Sequence, residues 1–364
     1  MSADASALAL SLERVAVPAD RLRRSLYATV ARVPALTPWL VRRDRRVALI
    51  ACAHALVAFV LTATFPMLLF VVGPIVLGVA HVSADVRYLV LRRRLPAWWK
   101  QVVIGVCLLL VAMRGAGEIL GGMLLLHAEH AVALGWMALA VIVALRLGGN
   151  RRRAVVMAFV IAALGAASLL APFGSRLVFV HVHNLVAVTL WIWLFRMRLS
   201  YALVPLLFIF GLAALLGSPW VLRAMDATGG ASALGLHLLG ATDFTAPGLG
   251  MRWAVHLTLC YVFLQSVHYA AWLLLIPQED MTRQAPLTFR GSARSLVTDF
   301  GSLGVGLIVL ATLLVIAGAF SDALASRRMY LSLAMFHNYL ELAMAAYFFV
   351  RGGFGARARL PQAT

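Results

Sequence analysis

Nine of the ten histidines lie inside apolar stretches long enough to cross a membrane. They are His54, His81, His127, His130, His181, His183, His256, His268 and His337. Ionisable side chains are costly in hydrocarbon, and those found there normally face a bundle interior or a cavity. Histidine is also the commonest metal ligand and titrates near neutral pH. The concentration therefore points to a buried metal centre, to haem ligation or to a path for protons.

Carboxylates follow two of these histidines at helical spacing. His81, Asp85 and Tyr88 occur at i, i+4 and i+7, which places them on one face of a helix. His337 and Glu341 repeat the one-turn spacing. Because a carboxylate one turn away can accept a ring N–H, it can leave the other ring nitrogen to bind a metal. We therefore take Asp85, Glu341 and Tyr88 as candidate catalytic residues.

The remaining candidate ligands come from other apolar stretches. His127 and His130 are three residues apart and close enough to hold one ion, and His181 shares a face with Asn184, whereas His183 is rotated away from it. The predicted metal ligands are His81, His127, His130, His181, His268 and His337. At about 1.5 Å of rise per residue, a central site drawing on His81, His130, His181, His268 and His337 is possible if their helices converge.

Several polar residues in the same stretches have a structural interpretation. His54 is expected to be a packed, hydrogen-bonding side chain. Arg114 and Glu118 are expected to pair across one turn. The three cysteines are scattered and form no metal-binding motif, so each is predicted to be a small core residue.

Composition gives the fold class. The chain is 63% hydrophobic and 13% charged, with a mean hydropathy of +0.91, which is far outside the range of soluble proteins. About 20 apolar residues suffice for a helix to cross the membrane. We predict an all-α, polytopic membrane bundle with ten spans at 47–70, 72–91, 101–121, 123–145, 154–172, 177–195, 200–217, 253–276, 301–320 and 329–350.

The net charge of +18 is distributed asymmetrically. Arginines fill every second loop, as in the runs 42–46, 92–94 and 151–153, while the intervening loops hold few, among them Arg327. This asymmetry is typical of a protein with an even number of spans, with both termini in the cytoplasm. The basic face would lie against anionic lipid, so the charge argues for the cell's inner (cytoplasmic) membrane and against nucleic-acid binding.

The predicted organisation is an N-terminal segment (1–46), a transmembrane domain (47–350) and a cytoplasmic tail (351–364). Leu22, Leu26, Val30 and Val33 recur on one face of the first segment, which indicates a short helix on the inner membrane surface; the alternative is a solvated tail. The outer segment 218–252 is expected to be a connector or a lid, and 277–299 an inner loop.

A set of short motifs resembles the Brp/Blh family of bacterial and archaeal membrane enzymes, which cleave β-carotene to retinal. Gly78-Val-Ala-His81-Val-Ser-Ala-Asp85 is similar to that family's Gly-x-x-His-x-x-x-Asp segment. The likeness extends to the His127 and His130 span, to His268 with aromatic residues after it, and to His337 followed by Glu341. The matches cover four spans, and a late histidine pair of the family is replaced by His268 alone. The resemblance implies a histidine-held iron centre, O2 as co-substrate and a long isoprenoid or lipid-like substrate in an apolar tunnel.

The function predicted from the sequence is a membrane-embedded, histidine-ligated metal enzyme. We expect a non-haem iron (Fe2+) oxygenase acting on a hydrophobic, carotenoid- or lipid-like substrate, with copper, zinc or haem as other possible cofactors. A proton or metal-ion transporter that uses the histidines as relay sites is the alternative class. A haem-binding electron-transfer protein is the third.

Overall fold

A computed structural model describes residues 3–120, 123–195, 199–279 and 288–353, and they are overwhelmingly helical. In chain order the elements are α1 (Ala3–Ala31), α2 (Thr37–Val41), α3 (Arg43–Thr64), α4 (Pro66–Val86), α5 (Ala97–Leu120), α6 (Met123–Arg146), α7 (Arg151–Leu170), α8 (Pro172–Leu190), α9 (Leu199–Leu215), α10 (Pro219–Thr228), β1 (Ser232–Ala233), β2 (Leu236–His237), α11 (Leu238–Thr245), α12 (Met251–Ala270), α13 (Ile276–Glu279), α14 (Phe289–Ser321), α15 (Ala323–Ala334) and α16 (Phe336–Arg351). Single π-helical segments extend α4 (Arg87–Leu91), α8 (Trp191–Phe195) and α12 (Ala271–Leu275). The predicted all-α class is confirmed.

Eight helices of the described chain are long and apolar enough to cross a membrane, or nine if a bent pair counts as one span. The bent pair is α9 with α10, which meet at 74°. The first two predicted spans need correction, because α3 ends at Thr64 and Pro66 begins α4, a position where the missing N–H of proline costs nothing. The protein is therefore a multi-pass membrane protein, with eight or nine such helices among the residues that the structure describes.

The segments outside the spans are more ordered than the sequence indicated. Residues 289–299, expected to belong to an inner loop, are helical and begin α14. The outer segment 218–252 contains α10, α11 and an antiparallel hairpin in which Ser232 pairs with His237. Leu234 and Gly235 at its tip both have positive φ, as a two-residue type I′ turn requires. Residues 280–287 of the predicted inner loop and 354–364 of the predicted tail lie outside the described residues.

The chain forms two compact units. Unit 1 consists of residues 1–87 and 187–330, and unit 2 of residues 88–186 and 331–364. In unit 1, α12 packs against α3, α4 and α11, and its residues are almost continuously buried from Thr258 to Ala270. In unit 2, α16 is the central helix, packing against α5, α6 and α7 and burying every residue from His337 to Glu341. Each central helix carries candidate ligands.

The N-terminal segment is helical along most of its length, as predicted, and its position on the inner membrane surface stays a prediction. Helix α1 docks along α14 through two carboxylates. Asp20 accepts hydrogen bonds from the backbone N–H groups of Phe289 (2.9 Å) and Arg290 (3.2 Å), at the helix end where a negative charge is favoured. Burial raises the pKa of Asp20, but these two bonds and the charges of Arg23 and Arg24 together outweigh it and hold the pKa below its ordinary value. The paired hydrogen bonds from Arg294 (2.7 and 3.1 Å) likewise lower the pKa of Glu13.

Candidate metal centre

A pair of buried histidines lies in unit 1. The rings of His81, on α4, and His268, on α12, lie with their centroids 5.3 Å apart and nearly perpendicular. The ring of Tyr269 contacts both, at 4.5 Å from His81 and 5.9 Å from His268. All three side chains are buried. The structure thus brings together two histidines that were predicted separately from stretches far apart in sequence.

The face of α4 that carries His81 also carries Gly78 and Asp85, one turn before and one turn after. Asp85 is fully buried, and its role beside His81 stays a prediction. Gly78 lies directly under the ring of Tyr330, where an added Cβ would be only 2.3 Å from the ring Cζ. The glycine of the sequence motif therefore has a packing role, because any side chain there would collide with Tyr330.

Arg327 is a buried charge in unit 1, although its place in the sequence had suggested an outer loop. It lies within α15, where its Nε donates to the carbonyl oxygen of Phe70 (2.7 Å). Its guanidinium lies 3.7 Å from the centroid of the same residue's ring, a cation–π contact. Nearby, Gln265 donates to the hydroxyl of Tyr269 (3.2 Å). These contacts place polar groups in the buried interior of unit 1.

Unit 2 contains a second pair, His183 on α8 and His337 on α16. Their Nε2 atoms are 3.2 Å apart and their ring planes are at 73°. Nδ1 of His337 contacts the carbonyl oxygen of Ala334, and Nδ1 of His183 lies 3.5 Å from Oε2 of Glu341, which is fully buried. Both Nδ1 atoms therefore face oxygens that only accept.

The oxygen beside each Nδ1 atom favours one of the two neutral forms of the ring. The carbonyl oxygen of Ala334 holds the proton of a neutral His337 on Nδ1, which leaves a lone pair on its Nε2. Nδ1 of His183 lies at ion-pair distance from Glu341, and the same tautomer there would leave a second lone pair facing the first. Two lone pairs at 3.2 Å repel unless a cation lies between them. Two imidazoles on one metal at about 2.0–2.1 Å have nitrogens separated by about 2.9–3.4 Å for ordinary coordination angles. The arrangement fits a shared metal ion, and it also fits a shared proton.

A cavity of about 450 Å³ lies beside this pair, within unit 2. Most of its lining is aliphatic or aromatic, which is typical of a site for a small apolar molecule. Its polar lining consists of Arg114, His130, Ser168, His183, Asn338 and Tyr339. The ring of Tyr339 contacts His130 (6.3 Å between centroids) and stacks on Phe179 (5.9 Å), so His130 borders the cavity.

The other predicted site residues have different surroundings. His127 is exposed and His181 is half-buried. Tyr88 is buried in the π-helical segment after α4, where its ring lies 5.8 Å from the guanidinium of Arg92. His54 contacts the carbonyl oxygen of Ser266 (3.3 Å), as expected of a packed histidine.

The expected pairing of Arg114 with Glu118 is wrong. Arg114 forms a 2.6 Å ion pair with Glu129 on the neighbouring helix, and the hydroxyl of Ser332 donates to Glu118. Glu129 is almost fully buried, so it requires a cation nearby more strongly than an exposed carboxylate does.

His183 is a functional candidate that is absent from the predicted ligand set. The sequence does contain a hint that His183 faces the interior, because the small residue Ala187 follows it one turn later. In the structure Ala187 is fully buried. Small residues mark the packed face of membrane helices, and His183 shares that face. Val178 and Val182, which lie beside His181 on the helix, are exposed.

No protein-family model, curated protein or solved structure matches this chain.

Proposed function

We propose that the protein is a membrane oxygenase in which His183 and His337 hold an iron ion beside an apolar substrate cavity. The observation that carries the proposal is the 3.2 Å approach of two Nε2 atoms whose Nδ1 partners are both acceptors. Copper and zinc also bind imidazole. We favour iron because the adjoining cavity suits an apolar substrate, and histidine-bound iron can activate O2 to oxidise such a molecule. When bound, a histidine-held ferrous ion supplies the activation of O2.

The residues of unit 2 have distinct tasks in this proposal. Glu341 orients His183 and balances positive charge at the site, as carboxylates behind metal-binding histidines do. The carbonyl oxygen of Ala334 fixes the ring of His337 in the same way. The apolar lining of the cavity holds a hydrophobic substrate and excludes water from it. The likeness of the motifs to the Brp/Blh family agrees with this chemistry.

Metal content of the purified protein tests the proposal directly. We expect stoichiometric iron without the optical band of haem, and its loss in His183→Ala and His337→Ala. The matched control is His54→Ala, because His54 is also a half-buried histidine and its ring contacts a backbone carbonyl oxygen. His127→Ala should retain iron if that exposed histidine is no ligand. A wild-type protein that neither contains iron nor binds added Fe2+ would refute the proposal.

The pair in unit 1 is tested by the same measurement. If that pair holds a metal ion of its own, His81→Ala and His268→Ala lower the iron content, and Asp85→Asn does so too if the carboxylate orients His81. Retention of iron in all three variants would assign the pair a structural role.

A proton relay is the second candidate function, and the contact of His183 with Glu341 favours it. If the shared cation is a proton, His183 is an imidazolium paired with the carboxylate and donates to His337. Metal-free protein in vesicles carrying an internal pH-sensitive dye would then conduct protons, and Glu341→Gln would abolish the flux. Absence of proton flux in vesicles that contain folded wild-type protein would eliminate this candidate.

We propose a topology with ten crossings of the inner membrane and both termini on its cytoplasmic side. The eight long helices reach ten if α8 with its π-helical extension and α9 also cross. The alternation of arginine-rich loops supports an even number. Reporter fusions at both ends should give cytoplasmic signals, and a periplasmic C-terminus would contradict the count.

A further inference from the structure

The cavity of unit 2 is bordered by helix surfaces that face outward. Leu164 on α7, and Val178 and Val182 on α8, line the cavity and are also exposed by 39%, 61% and 49%. Helix α7 is long and apolar enough to span the membrane, so exposed aliphatic side chains on it face lipid. The cavity is therefore accessible from the hydrocarbon of the bilayer, and its ligand is a molecule that dissolves there.

The charge in the cavity lining is already balanced. The guanidinium of Arg114 lies 2.6 Å from the carboxylate of Glu129, which is 3% exposed. A ligand carboxylate placed beside this pair would add an uncompensated negative charge in apolar surroundings, at a high cost in free energy. The cavity thus selects against anionic lipids such as fatty acids.

Two buried polar atoms on the cavity residues lack hydrogen-bond partners among the described residues. They are Nε of Arg114, a donor, and Oδ1 of Asn338, an acceptor. Asn338 is 6% exposed, and its Nδ2 makes a 3.5 Å contact with the sulfur of Met335. Buried polar groups are normally satisfied, so both atoms point to a ligand with a polar group of its own.

We propose that this cavity binds a long, uncharged lipid alcohol taken from the membrane. A hydroxyl group can donate to Oδ1 of Asn338 or accept from Nε of Arg114, and it brings no charge to the pair with Glu129. A pure hydrocarbon would leave both atoms unsatisfied. The inference deepens the proposed function by naming the substrate class of the same site, and it rests on that function only for what happens to the ligand after it binds.

Binding of tritiated hexadecanol to the purified protein in neutral phosphatidylcholine nanodiscs tests the proposal. Unlabelled hexadecanol, palmitate and hexadecane serve as competitors of equal chain length. We expect hexadecanol to compete about tenfold better than either of the others, as one or two hydrogen bonds allow. Equal competition by hexadecane, or stronger competition by palmitate, would overturn the proposal.

Two variants locate the recognition. Asn338→Leu keeps the side-chain size and should weaken hexadecanol binding about tenfold while leaving hexadecane unchanged. Arg114→Met combined with Glu129→Gln removes the donor without stranding a buried carboxylate, and should have the same effect. Ser83→Ala, which removes a partly buried hydroxyl on α4 that does not line the cavity, is the control and should bind normally. If the double variant does not fold, Asn338→Leu decides alone, and an unchanged preference for the alcohol there would refute the proposal.

The measurement is made after removal of metal with a chelator, so that it is independent of the iron proposal. Alcohol binding by metal-free protein supports the inference whatever the metal content proves to be. Iron in a protein that shows no preference for the alcohol would retain the proposed function and eliminate this substrate class.

Discussion

Replacing Gly78 with alanine should destabilise unit 1 by forcing Tyr330 from its position. An added Cβ would lie 2.3 Å from Cζ and 2.6 Å from the hydroxyl oxygen of Tyr330, both well inside van der Waals contact. Tyr330 is 6% exposed, so its ring has little freedom to move away. The collision therefore has to be relieved by displacing α4 or the ring.

The expected magnitude is a balance of two terms. Overpacking a buried site costs about 1–3 kcal/mol, whereas replacing a helical glycine with alanine gains about 0.5–1 kcal/mol. Gly211→Ala, on α9, should only stabilise the helix, because nothing lies within 4 Å of the added Cβ and no collision follows. The difference between the two variants isolates the collision and should be about 1–3 kcal/mol.

Equilibrium unfolding in mixed micelles, followed by tryptophan fluorescence, measures both variants. A double variant, Gly78→Ala with Tyr330→Leu, should recover part of the loss, because leucine vacates the space that the ring occupies; contacting residues couple by about 0.5–3 kcal/mol in such cycles. The reasoning is refuted if Gly78→Ala and Gly211→Ala unfold at the same denaturant concentration. It is refuted equally if Gly78→Ala costs as much unfolding stability in the Tyr330→Leu background as it does in the wild type.

Three further perturbations have defined outcomes. Glu341→Gln should lower metal affinity about 10–100-fold by releasing His183, which chelator competition measures; unchanged affinity would show that the carboxylate does not orient the ring. The contact of α1 with α14 should have its full stability above the ordinary carboxyl pKa of about 4 and lose it as the pH falls from there through the lowered pKa values of Asp20 and Glu13. Hydrogen exchange in α1 should therefore accelerate on acidification, and Asp20→Asn should cost about 1 kcal/mol at pH 7. Gly230→Ala would place a Cβ 1.6 Å from the carbonyl oxygen at the end of α3, so it should cost about 3 kcal/mol or more and reduce the yield of folded protein; normal yield and stability would contradict the packing.

The features of the fold that depend on composition could be predicted from the sequence. Long apolar stretches, few charges and arginine-rich loops predict a helical membrane bundle because only hydrogen-bonded helices or closed barrels satisfy the backbone in lipid. The one-turn spacing of His81 and Asp85 correctly indicated a shared, buried face of α4. The same reasoning applies to α16, where His337 and Glu341 are both buried.

Features that depend on interruptions of the helices could not be predicted in this way. The π-helical segment at Arg87–Leu91 changes the turn between Asp85 and Tyr88, so the i, i+7 relation of His81 to Tyr88 no longer describes a regular α-helix. Gly301 has φ of +70° and interrupts α14. Hydropathy is averaged over many residues, and therefore it does not register a local change of this kind.

Helical spacing gives the angle between two side chains but not the direction in which either of them points. His181 and His183 are about 200° apart on α8, so at most one of them can face the interior, and the choice depends on which side of α8 is packed. The structure turns Val178 and Val182 outward and Ala187 inward, and this orientation brings His183 to His337. Glu341 then serves a histidine on a different helix, although its spacing in sequence had associated it with its own neighbour His337. The proposed ligand set therefore depends on the packing between helices. Replacing each histidine of α8 with alanine tests whether His181 or His183 is the metal ligand: iron should be retained in His181→Ala and lost in His183→Ala.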